Sequence, residues 1–205
     1  LLSLFLRRVA PAAFGSVLAN TTQQSQKQPN GEFPTNVGGT TVTVNGRAVQ
    51  ILFVSPERVH LLIPPQTEIG NAEVVITNAD GFPSKGTVPI LRAAPGIFTK
   101  TGDGIGEGMI LNSDTLAEGP FDPSSGNLRL LIFSTGVRNG ITRTVNIGGR
   151  VVTPEAVNES TGMQGLDEVL VRVPADLRGA GNVNLFIQAD GRDSNPVTVK
   201  FLGDP

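Results

Sequence analysis

The chain repeats itself, and the repeat limits what it can fold into. Thr41-Val42-Thr43-Val44-Asn45-Gly46-Arg47-Ala48-Val49 resembles Thr144-Val145-Asn146-Ile147-Gly148-Gly149-Arg150-Val151-Val152, an offset of 144 − 41 = 103. Arg58-Val59-His60-Leu61-Leu62-Ile63-Pro64 resembles Glu168-Val169-Leu170-Val171-Arg172-Val173-Pro174, at an offset of 168 − 58 = 110. Gly70-Asn71 matches Gly181-Asn182, Ala79-Asp80-Gly81 matches Ala189-Asp190-Gly191, and Ser84 matches Ser194, all in the same order. The change of offset places seven extra residues in the second copy, expected in a loop between Val152 and Asp167.

Each repeated piece has the chemistry of a half-buried strand. Val42 and Val44 alternate with Thr; Val59, Leu61 and Ile63 alternate with Arg58 and His60; Val169, Val171 and Val173 repeat the pattern. Val59, Leu61, Ile63 and their three counterparts are therefore expected to point into cores, with Arg58, His60 and Arg172 pointing away. Asn45-Gly46, Gly148-Gly149, Asp80-Gly81 and Asp190-Gly191 read as hairpin turns. The 25 Gly and 15 Pro, with only 17% charged residues, argue against a helical bundle, and 39% hydrophobic residues argue against disorder. In 205 residues there is room for two sandwiches of about 100 residues each. The expected fold is all-β: two tandem immunoglobulin-like sandwiches, 1–97 and 98–205, with 99–127 an ordered connection. In that connection Met109-Ile110-Leu111 should pair as a strand or lie between the domains. Residues 21–36 are polar and read as a long loop. Leu1 to Leu6 are apolar but too short to span a membrane, and read as a strand in a fragment or processed chain.

Beyond the repeat, several linked motifs resemble a known family. They are Ala13-Phe14-Gly15-Ser16-Val17-Leu18-Ala19, Val54-Ser55-Pro56-Glu57-Arg58-Val59, Ala94-Pro95-Gly96-Ile97-Phe98, Phe133-Ser134-Thr135-Gly136-Val137 and Gly165-Leu166-Asp167-Glu168-Val169. With Val37-Gly38-Gly39 and the strand after it, they resemble the Solibacter-type C-terminal domain, and each half resembles the IPT/TIG type of immunoglobulin-like repeat. His60 departs from the family, which usually has Asn there. The resemblance implies a module at the C-terminus of a large secreted acidobacterial protein. It implies no activity, because the family has no catalytic residues to carry over.

Candidate chemistry is sparse. With no Cys there is no disulfide, thiolate site or Cys nucleophile. His60 is the only imidazole, and neither a G-x-S-x-G elbow nor an S-x-x-K run accompanies it. Asp103-Gly104-Ile105-Gly106-Glu107-Gly108 with Asp114 resembles a calcium loop in the spacing of its acids, but Ile stands at the third position. Asp103, Glu107 and Asp114, with Glu118 and Asp122, are thus candidates for a loose calcium site or, more remotely, for the acid pair of a glycosidase. The expectation is no cofactor. A sugar-binding face would need flat aromatic platforms; there is no Trp or Tyr, and of ten Phe only Phe33, Phe82 and Phe121 fall in loops. Those three are the candidate contact residues. Net charge is −2 with scattered basic residues, which sets nucleic acid aside.

The sequence thus points to a non-catalytic extracellular module, monomeric and without a membrane span, that contacts a protein or surface. A carbohydrate-binding module is the alternative. A polysaccharide or ester hydrolase using the acids of the connection comes last.

Overall fold

A computed structural model describes residues 3–4, 12–64, 66–163 and 165–202. The rest of the segment Leu1 to Arg8 lies outside the described residues. The chain forms two immunoglobulin-like β-sandwiches, within the compact units Leu1–Leu91 and Arg92–Pro205.

The first domain contains β1 (Ser3–Leu4), β2 (Ala12–Phe14), β3 (Gln23–Gln24), β4 (Asn36–Val37), β5 (Thr40–Val44), β6 (Arg47–Ala48), β7 (Ile51–Val54), β8 (Arg58–Leu61), β9 (Gly70–Thr77) and β10 (Pro83–Ile90). One sheet runs β1-β2-β8-β7-β3. The other runs β10-β9-β5-β4, with β6 beside β4 on the same strand, β5. The second domain contains β11 (Gly96–Ile97), β12 (Ile110–Asn112), β13 (Arg129–Thr135), β14 (Arg143–Ile147), β15 (Arg150–Val152), β16 (Ala156–Glu159), β17 (Asp167–Arg172), β18 (Asn182–Ala189), β19 (Arg192–Asp193) and β20 (Val197–Lys200). Its sheets run β11-β13-β17-β16, with β12 also on β13, and β15-β14-β18-β19, with β20 also on β18.

Register makes the repeated strands of the two halves equivalent. Val42 pairs with Ile76, and Val145 with Ile187. Val54 pairs with Val59, and Val157 with Val169. His60 lies between Ala12 and Phe53 as Leu170 lies between Leu131 and Ala156. The offset is 157 − 54 = 103 before the β16–β17 turn and 169 − 59 = 110 after it. The seven extra residues therefore belong to this one turn, within the interval expected. Alternation then puts every second side chain inside: Val59, Leu61, Ile63, Val169, Val171 and Val173 are all buried, while Arg58 and Arg172 are exposed and His60 is half-buried.

The hairpin turns follow their residues, with one exception. Asn45 and Gly46, Gly148 and Gly149, and Asp190 and Gly191 all have positive φ, as a two-residue hairpin of this type needs. Around Asp80-Gly81 only Gly81 does, and the turn is longer, closing from Thr77 to Pro83. Asn78 closes it, its Oδ1 accepting from the amides of Asp80 (3.1 Å) and Phe82 (2.9 Å).

The domain division differs from the sequence expectation. It falls after Leu91, so Gly96–Ile97 belong to the second domain, where they pair with Thr135 and Ser134. Residues 99–127 are likewise part of the second domain. Met109-Ile110-Leu111 largely coincides with β12, which pairs with β13, and Thr99, Glu107 and Phe121 make isolated bridges to Gly108, Thr198 and Phe201. Ile97, Ile110, Phe121 and Leu128 join that domain's core cluster. Burying these apolar side chains offsets the entropy of ordering so long a segment.

Candidate functional site

The sequence candidates do not converge. Asp103 organises its own loop: its Oδ1 accepts from Thr101 Oγ1 (2.6 Å) and the Ile105 amide (2.9 Å), and these bonds hold its carboxyl below the usual range. Glu107 and Glu118 both pair with Lys100 Nζ, at 2.6 and 2.9 Å. Asp114 pairs with Arg129, and Asp122 accepts from the Ser124 amide at 2.9 Å. Among the described residues no group of three or more His, Asp or Glu could hold a metal ion. His60 has its Nε2 buried without a hydrogen-bond partner among those residues, and its ring meets Phe53 edge-on at 5.5 Å. Burial first, and then the Arg58 charge, lower its pKa. Among the described residues no acid is hydrogen-bonded to it to orient it as a base.

The three phenylalanines separate as well. Phe82 is 69% exposed on its turn. Phe33 is half-buried, with Lys27 Nζ 5.6 Å from its ring centre. Phe121 is only 5% exposed and packs on Phe201, ring centres 6.5 Å apart. It is a core residue, not a contact residue. Its backbone bridge to Phe201 turns its side chain inward.

A different site stands out, a groove of about 390 Å³ along the open side of the second sandwich. One wall is the start of β14 with the residues before it, Ile141 to Thr144. The other is residues 153–157, including the start of β16. Thr142, Thr144 and Thr153 contribute hydroxyls, and Ile141, Pro154 and Val157 contribute apolar surface. Ile141 is 71% exposed. Only β17 pairs with β16 among the described residues, so the outer edge of β16 is open. β15 reaches β14 only from Val145 to Ile147, leaving Arg143 and Thr144 unpaired on that side.

The wall before β14 is held at several points. Asp167, 1% exposed, accepts from the amides of Val137 (2.8 Å) and Arg138 (3.2 Å). Burial pushes its carboxyl above the usual range, against the pull of those amides and of Arg138. The Arg138 guanidinium reaches Asp167 Oδ1 (3.3 Å) and Glu159 Oε2 (2.6 Å), tying the segment to the end of β16. Asp190 Oδ1 accepts from the amides of Ile141 (2.8 Å) and Thr142 (3.0 Å), and the Thr142 amide first, with that of Ile141, keeps its carboxyl ionised to lower pH. Gly136 has φ +67 and lies so close to Ala94 that an added Cβ would collide with the Ala94 oxygen. Asn195 pins the neighbouring strand, accepting from the Ile97 amide (2.8 Å) and donating to the oxygens of Ile97 (3.0 Å) and Gly104 (2.8 Å).

Sequence reading missed Asp167, Asp190 and Asn195 in these roles. Only Asp190 carried a signal, as a turn residue. A turn residue whose partner strand begins beside a loop is placed to cap that loop as well.

No family model matches the chain, and no curated protein matches it. Among solved structures, a Bacteroides ovatus mixed-linkage glucan utilization locus protein, SGBP-B, in complex with a mixed-linkage heptasaccharide is similar at 15% identity. The match covers 98% of this chain and 44% of that one, with a TM-score of 0.38. Titin immunoglobulin tandem domains are similar at 12% identity over 90% of this chain and 96% of that one, with a TM-score of 0.27. The chain thus spans 44% of the length of the first of these. With superpositions this loose, the immunoglobulin-like assignment rests on the sheet pairing itself, and no family is shown.

Proposed function

We propose that the chain is a non-catalytic binding module of an extracellular bacterial protein, and that the groove between β14 and β16 is its contact surface. The observation that carries this reading is the groove, bounded by two open strand edges and offering both apolar and polar surface. The acids and the imidazole that catalysis would need are engaged elsewhere, one by one, in turns, ion pairs and packing. The extracellular setting, and a place near the C-terminus of a larger acidobacterial protein, rest on the sequence resemblance. Among the described residues no helix is long and apolar enough to cross a membrane.

Carbohydrate is the second reading. The hydroxyls of Thr142, Thr144 and Thr153 suit a sugar, although no aromatic ring lines the groove. The test presents the full chain to a glycan array, to arrayed peptides, and to panels of polysaccharide and ester substrates. Binding that weakens at least tenfold in Ile141→Asp, without turnover, is expected. Turnover that survives repurification and falls in Asp103→Asn or His60→Ala would overturn the reading.

A further inference from the structure

The first domain shows what fills this groove when it is filled. Subtracting 103 maps Arg143-Thr144 onto Thr40-Thr41, and Pro154 to Val157 onto Ile51 to Val54. In the first domain both edges are covered by one continuous stretch, residues 23–37, two pieces joined by a turn at Gln28 to Glu32. β3 pairs antiparallel with β7, Gln23 opposite Val54 and Gln24 opposite Phe53, and the Ser25 amide donates to the Leu52 oxygen at 2.9 Å. Further on, the Ile51 amide donates to the Pro34 oxygen at 2.9 Å, and β4 pairs antiparallel with Thr40 and Thr41. Under this cover Thr40, Ile51 and Val54 are all 0% exposed. Their counterparts Arg143, Pro154 and Val157 are only half-buried. Among the described residues the second domain has no such segment: seven residues, 136–142, separate β13 from β14, where residues 15–39 separate β2 from β5.

We infer that the groove of the second domain binds an extended peptide strand of a partner protein, added antiparallel to β16. The inference rests on the reading of the chain as a binding module and names the ligand class for that site. Strand addition satisfies the outward backbone groups of an open edge, and specificity comes from alternate side chains. The four residues of β16 offer about 13 Å of pairing. The covering segment of the first domain specifies the chemistry of the ligand. It is uncharged where it pairs, Gln23-Gln24 on one edge and Asn36-Val37 on the other, and Val37 turns inward. Along β16 the partner strand is accordingly uncharged, as Gln23-Gln24 are along β7, with one aliphatic residue at the position of Val37, beside Arg143, the counterpart of Thr40. The pinned wall from Val137 to Thr142 reduces the ordering cost on the protein's side.

The experiment uses the full chain and an array of uncharged ten-residue peptides carrying Val or Ile at alternate positions, with an oligosaccharide panel alongside. Peptides that bind should slow amide exchange along residues 155–159 at least tenfold. Val157→Lys, which places a charge in the groove, should weaken them at least tenfold, as should Ile141→Asp on the exposed rim should Val157→Lys disturb the fold. Ile69→Ala, an exposed position in the other domain, should leave binding unchanged. Peptide binding that leaves exchange at 155–159 unaltered and tolerates both groove substitutions would overturn the inference. So would a groove that takes oligosaccharides and no peptide, or one that pairs two copies of this chain, seen as a dimer that Val157→Lys dissociates. The oligosaccharide outcome would leave the binding-module reading standing, whereas turnover would remove that reading itself.

Discussion

Between corresponding strands the two domains use very different lengths of chain, residues 15–39 in the first and 136–142 in the second. The longer stretch lies along the edges of β7 and β5, and the shorter one is tied down by Asp167 and Asp190. The strand order beneath is common to both. The difference shows that an immunoglobulin-like sandwich can settle its open side in two ways. It can cover the edges from within, or hold a short wall in place and leave the edges bare. The first closes a surface that the second keeps available for contact.

If the domains share one framework, matched core positions should respond alike. Leu61→Ala is expected to lower stability by about 2–5 kcal/mol, through lost burial and the cavity left behind. Val171→Ala, one position on from the counterpart of His60 as Leu61 is from His60, should cost somewhat less, because fewer atoms are removed. Arg172→Ala, on the exposed face and paired with Glu155 at 2.9 Å, should cost below about 1 kcal/mol. Urea titration gives all three. A loss from Arg172→Ala equal to that from Leu61→Ala would mean the faces are exchanged, since a one-residue slip moves every side chain to the other side.

The fastening of the shorter wall can be tested separately. Gly136→Ala combines a left-handed backbone with a clash against Ala94 and should cost about 2–4 kcal/mol. Gly149 has φ +82 but open space around it, so Gly149→Ala should cost only about 1–2 kcal/mol. Thermal melting that showed equal losses would mean that the approach to Ala94 relaxes freely and that the wall is looser than described.

The smallest effect concerns the matched pair in which a histidine stands opposite an aliphatic residue. The pKa of His60 lies below its ordinary 6.5, through burial and then Arg58, so folding favours the neutral ring. That contribution is complete above about pH 6.5 and is lost as pH falls through the lower folded-state value. His60→Leu, the residue of the second copy, should therefore flatten the acid side of the stability profile below about pH 6.5 and leave the slope of the neutral side unchanged. An unaltered acid slope, followed by denaturant midpoints, would show that His60 takes no part in it.

The framework was readable because its signals are local. Two-residue alternation and the pairs Asn45-Gly46, Gly148-Gly149 and Asp190-Gly191 carry their own geometry. Even the seven-residue excess could be placed from the change of offset. The open and covered edges were not readable. The segment holding Gln23, Gln24 and Pro34 pairs through its backbone, so its side chains stay polar, show no alternation and look like a loop. Phe121 misled for the opposite reason. It sits among Gly119, Pro120 and Asp122, where a loop is the natural expectation, and its burial depends on Phe201, distant in sequence. Asn195 left no trace at all, because one carboxamide stands in for a stretch of strand.

The longer turn between β16 and β17 has a further consequence. Its base is closed by the Ser160 amide donating to the Leu166 oxygen at 2.9 Å, and the ladder beyond keeps the pairing of its shorter counterpart. Extending the stretch between the matched pairs from four residues, 55–58, to eleven, 158–168, raises the entropic cost of closing it by only about 0.9 kcal/mol in the simplest chain statistics. Chain length at this corner is therefore close to free, and neither sheet registers the change. It is a natural port for inserted sequence: an epitope, a tag or a whole small domain grafted beyond Ser160 would hang from a closed neck, leaving the β-sandwich that carries it undisturbed.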